Sequence, residues 1–198
     1  MANKRKIGAM IALDGEKEFR QSVTSCNKAL TTMRSEMKLV EAQTAGQANT
    51  LETLRSKHDV LARTLDAATQ KEEAVRRGLE HAEEQYSKTG EELESYRRYL
   101  ALAQASLAEM ENSTDTTNEA LEQQRQVVSD LSGIVEKGKE TYKKAGDRVN
   151  DWKKQLNNAE AQVIRATQAL NENDALMNAT IETAVDFSKL DTVLVILN

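Results

Sequence analysis

The sequence predicts an all-α protein: long heptad-patterned helices forming an extended coiled coil or helical hairpins, preceded by one short N-terminal β-strand. Three observations predict it. Apolar residues recur at alternating spacings of four and three from Phe19 to Met177 without a change of phase, and a seven-residue pattern this sustained marks a coiled coil rather than helices on a globular core. Proline is absent from all 198 residues, so no ring clash interrupts a long helix. Of the aromatic residues, Phe19, Tyr86, Tyr96, Tyr142, Trp152 and Phe187 fall on heptad positions a or d and Tyr99 alone does not; a solvated face has no reason to collect rings.

The first element, residues 1–15, reads as a strand and a turn. Ile7, Ala9, Ile11 and Leu13 alternate onto one face. A lone strand leaves both edges unpaired, so these four are expected to dock on another copy, another protein or the chain's own apolar end. Asp14 then caps a first helix over 16–44, whose seam is Phe19, Val23, Leu30, Met33, Met37 and Val40. Thr44 and Gln47 flank Ala45-Gly46, and Asn49 with Glu52 forms a capping-box pattern that starts a second segment.

That second helical segment, 49–111, carries Leu51, Leu54, Leu61, Leu65, Leu79, Tyr86, Leu93, Tyr96, Leu100 and Leu107 on the seam. Thr89, Gly90 and Glu92 resemble another helix start, so a break is expected near 89–90. Asn112 to Asn118, with Thr116 and Glu119, marks the next break. The third segment, 116–178, continues with Leu121, Leu131, Tyr142, Val149, Trp152, Leu156, Val163 and Leu170. Residues 179–198 leave the heptads, and the last stretch, TVLVILN, has the β-branched composition of a strand.

Across the 23 a positions from Val23 to Met177 only Thr44, His58, Glu72 and Thr114 are polar. The d positions are smaller, with Ala68, Ala82, Ala103, Ala145, Ala159 and Ala166. This asymmetry departs from the Ile/Leu pattern of parallel dimers and leaves antiparallel hairpins and higher bundles both open. The segment EQYSKTGEELESYRRYLALAQASL from Glu84 recurs as ETYKKAGDRVNDWKKQLNNAEAQV from Glu140, an offset of 56 residues. Fifty-six is eight heptads, so the duplication keeps the seam and matches Tyr86 with Tyr142, Gly90 with Gly146 and Tyr96 with Trp152.

Composition excludes several functions. The chain holds 27 Lys+Arg and 32 Asp+Glu, a net charge of −5, with the signs interleaved; nucleic-acid binding needs clustered cations, so none is expected. Lys4-Arg5-Lys6 precedes only seven apolar residues, Asp14 ends them and no small-residue cleavage site follows closely, so a secretory signal is not expected. No stretch reaches the length of a membrane-spanning helix. His58, His81 and Cys26 share no ligand spacing, so no metal, cofactor or catalytic group is expected and the chain does not read as an enzyme. A polar a residue such as His58 more often fixes helix register, and Cys26 reads as a small buried hydrophobe.

Residues 6–58 bear a further signal. Lys6-Ile-Gly8, Leu13-Asp-Gly15, Ser35-Glu-Met-Lys-Leu-Val40 and Gly46-Gln-Ala-Asn49 occur in that order. The combination resembles the amino-terminal segment of tail tape measure proteins from long-tailed phages and prophages of Gram-positive bacteria. The stretch AGDRVNDWKKQLNNAEAQVIRATQALNENDAL, 145–176, is similar to a second segment of that family. The resemblance implies a structural coiled-coil protein that sets tail length and is packed in the tail tube during virion assembly. It implies a homo-oligomer whose partners are tail-tube, baseplate and tail-assembly chaperone proteins. Its location would be the cytoplasm of the bacterial host during assembly, then the lumen of the virion tail. Family members are longer, so the chain is expected to be a fragment or truncated frame, with a nonfunctional prophage remnant as one alternative. A cellular coiled-coil scaffold or tether is the other.

Overall fold

The computed structural model describes residues 16–196, with side chains through 185. Three α-helices account for almost all of it: α1, Glu16–Gln43; α2, Leu51–Asn112; and α3, Asn118–Ile196. There is no strand among the described residues. The expected strand, with Ile7, Ala9, Ile11 and Leu13, lies outside them.

The helix ends follow from local chemistry. After α1 the chain turns through Gly46, whose φ of 86° is a left-handed conformation that costs glycine nothing. The Thr44 amide donates to the Val40 carbonyl at 3.0 Å and closes the last turn. The start of α2 is capped by Thr50, whose hydroxyl oxygen accepts from the Thr53 amide at 3.3 Å, and not by Asn49. The start of α3 is capped by Thr117, which accepts from the Ala120 amide at 3.3 Å, and not by Thr116. In both cases the expected cap sits one residue early, because two adjacent residues each carry a side chain able to cap.

The break expected near 89–90 is absent, and α2 runs through it. The Thr89 hydroxyl donates back to the Gln85 carbonyl at 2.7 Å, so it is satisfied inside the helix and caps nothing. The strand expected at the chain's end is also corrected. Residues 192–196 are the last turn of α3, since extending a helix already formed costs far less than starting one and outweighs the β-propensity of single residues.

The described residues form two compact units, one built on residues 78–153 and the other on residues 17–77 with 154–196. In the first, the later part of α2 and the earlier part of α3 pair as an antiparallel hairpin. Gln124 Nε2 donates to the Ala103 carbonyl at 2.8 Å, and Lys153 meets Glu83 at 3.1 Å. Buried Leu79, Leu93, Leu131, Val135 and Val149 alternate with the small Ala82, Ala103 and Ala145. Large at a against small at d is thus answered by antiparallel helices in close approach.

In the second unit α1 joins α2 and α3 as a third helix. Arg63 bonds Glu36 at 2.7 Å between α2 and α1, while Asn173 Nδ2 donates to the Leu54 carbonyl at 2.9 Å between α3 and α2. Here α2 buries a wider face than a two-helix seam requires: Val60, Ala67 and Ala74 are buried along with Leu54, Ala68 and Val75. The exposed ion pairs fix register more than they stabilise, at about 0–1 kcal/mol each.

Candidate interaction groove

Within the hairpin the first turns of the two repeat copies, residues 84–90 and 140–146, lie against each other. The Tyr86 and Tyr142 rings stack with centroids 4.5 Å apart and an interplanar angle of 15°. Each ring covers the glycine of the other copy: a Cβ on Gly90 would stand 3.1 Å from the Tyr142 ring, and one on Gly146 would stand 3.2 Å from the Tyr86 ring. The duplication therefore folds about a local two-fold axis. With Tyr142 as its hydrogen-bond partner, the Tyr86 phenol is held above its ordinary pKa. Trp152, fully buried, lies where a Cβ on Gly78 would come within 2.7 Å of the indole. The Trp152 site is tightly filled, whereas beside the stacked rings Tyr86, Gly90 and Tyr142 line an open surface depression with Ser87, Glu91, Glu94, Ser95 and Arg98.

The three-helix unit differs, because α1 and α3 leave a groove between them. Its apolar lining comes from Leu30, Met33 and Met37 of α1, with Leu61 and Ala68 of α2 beneath and Ala166 and Ala169 of α3 opposite. Arg34, Lys38 and Arg165 outnumber Glu41 along its edges, giving an apolar floor and a basic rim. Methionine side chains adapt to varied shapes, which suits a surface that accepts another helix.

Deeper in the same unit, Lys71 is 8% exposed and its Nζ donates to Gln162 Oε1 at 3.0 Å. Burial pushes the Lys71 ammonium below its usual pKa and pushes the Cys26 thiol above its own. An ammonium in such a place costs stability unless fully compensated, so Lys71→Met is expected to raise unfolding stability by about 1 kcal/mol at pH 7. The folded-state pKa is the lower one. Between it and about 10.4 the unfolded chain holds a proton that the folded chain has released, so this group's contribution to stability rises with pH. The stability gap between the wild type and the Lys71→Met variant should therefore narrow from pH 7 toward about 10.4. Urea titrations on a Cys26→Ala background, which removes the opposing thiol, check it.

All the seam residues named from the sequence are buried or half-buried. Phe19, Val40, Leu51, Leu65, Leu156, Val163 and Leu170 belong to the three-helix unit, with Leu30, Met33, Met37 and Leu61 at the groove and Val23 and Leu54 buried. Tyr96, Leu100, Leu107 and Leu121 belong to the hairpin with the buried positions described above. Tyr96 meets Tyr99 edge-on at 6.3 Å. The polar a residue His58 has its Nδ1 2.6 Å from Asp174 of α3, and Glu72 pairs with Arg76 on its own helix at 2.7 Å. Sequence reasoning missed the Val60, Ala67, Ala74 face and Lys71; the seven-residue spacing of small residues off the seam was the available signal. Among the described residues no group of three or more His, Cys, Asp or Glu could hold a metal ion, and none of the helices is long and apolar enough to cross a membrane.

Hairpin, three-helix unit and groove define a class by fold alone, the heptad-built all-helical protein with an open apolar groove. No protein-family model, curated protein or solved structure matches the chain.

Proposed function

We propose that the chain is a structural helical protein of the tail tape measure kind, corresponding to that family's amino-terminal part and packed in the tail tube during virion assembly. The observation that carries this reading is one heptad phase held through α1, α2 and α3 from Phe19 to Met177. A fixed rise of about 1.5 Å per helical residue turns residue count into length, and the ordered motifs of residues 6–58 supply the family resemblance.

The antiparallel hairpin alters the arithmetic of such a ruler. In the genome that carries this sequence, removal of four heptads from each hairpin arm is expected to shorten tails by about 42 Å if the hairpin persists. The same deletion gives about 84 Å if the arms are drawn out end to end in the tube. Tail lengths in electron micrographs check it, and unchanged tails would sink the ruler role. The folded-back hairpin also favours a second reading, a cellular scaffold or tether, since folding back sacrifices reach for contact surface. Neighbouring genes for tail-tube and baseplate proteins would separate the two.

A further inference from the structure

We infer that the groove between α1 and α3 receives the C-terminal turns of α3 from a second copy of this chain, and that the exchange is reciprocal. The inference is independent of the tail reading. It starts from where α3 goes after it has passed the end of α2. Asn173 lies opposite Leu54, three residues from the start of α2, so in an antiparallel pair α3 passes the end of α2 by about residue 180. Residues 181–185 are all exposed, with Ile181 at 39%, yet the helix continues to Ile196. Most helical stability in a protein comes from packing of an apolar face, and the exposed turn at 181–185 gains none from its own α2.

Three features match this extension to the groove. The first is length: Ile181 to Ile196 spans about 22 Å, and the α1 side of the groove, Asn27 to Glu41, spans about 21 Å. The second is charge, because residues 181–196 hold three carboxylates and one lysine while Arg34, Lys38 and Arg165 dominate the rim. The third is direction. α1 and α3 run parallel, so the extension leaves its own unit at the end where the groove opens beside Glu41. A two-fold axis beyond the 44–50 turn would lay each extension along the other copy's groove, completing a four-helix bundle in each. Ile181, Ala184 and Val185, all exposed, stand at i, i+3 and i+4 on one helix face, as a groove-bound helix requires.

Light scattering during gel filtration of the full chain at about 50 µM should give twice the chain's 22.1 kDa. Ile181→Glu, at an exposed position, and the rim reversal Arg34→Glu with Lys38→Glu should each give a monomer with unchanged helical circular dichroism. On a Cys26→Ala background, a mixture of Val185→Cys and Glu41→Cys chains should form a covalent dimer on oxidation, whereas neither alone should do so. A monomeric wild type would overturn the inference, as would a dimer insensitive to both sets of substitutions or the absence of the mixed cross-link. A wild-type monomer would leave the groove to another segment or a different protein.

Discussion

Trp152→Ala should cost the protein about 3–5 kcal/mol, because the indole is fully buried and its removal leaves a cavity that two helices cannot collapse to fill. Gly78→Ala should also destabilise, by about 1–3 kcal/mol, since the new methyl group would stand 2.7 Å from the indole with nowhere for the ring to go. Together the substitutions should not add. Once the indole is gone the methyl meets open space, and alanine exceeds glycine in a helix interior by about 1 kcal/mol. Gly78→Ala is therefore expected to be stabilising in the Trp152→Ala background. Denaturant titrations of the four proteins give the cycle directly, and additive losses would mean that the ring does not pack on Gly78.

Thr89→Pro is the second large effect, expected at about 3 kcal/mol or more. Residue 89 lies inside α2, fully buried, where proline removes a helical hydrogen bond and drives its ring into the preceding turn. Asn118→Pro, at the first residue of α3, should stay within about 1 kcal/mol of wild type, since the first helical position has no partner for its amide and favours proline's φ. Thermal melts followed by circular dichroism compare the two. Equal tolerance would restore a hinge at 89–90.

The hinge expectation failed for an instructive reason. Thr89-Gly90 with Glu92 looks like a helix start, but Gly90 is there because the Tyr142 ring occupies the space a side chain would need. From sequence alone, a glycine that ends a helix and one that admits a neighbour's ring are alike. The 56-residue repeat held the missing clue: tyrosine followed four residues later by glycine in both copies is what the two antiparallel arms of a helical hairpin need to interlock. The seam itself was legible because burial imposes its period on every turn. Helix direction was not, since leucine at a and alanine at d satisfy more than one arrangement. The third helix over Val60, Ala67 and Ala74 was hidden by the small size of those residues, which a hydrophobic pattern barely registers. The groove was legible only as the methionines of α1, which look like ordinary seam residues until α3 is seen to stand off from them.

The burial of Trp152 also gives the molecule a built-in optical marker. It is the chain's one tryptophan, and it belongs to the hairpin unit, while the grooved unit contains none. Ultraviolet emission thus follows the environment of one unit alone, whereas circular dichroism sums helix from both. Two spectrometers on one unlabelled sample can tell whether the units melt as one or in turn.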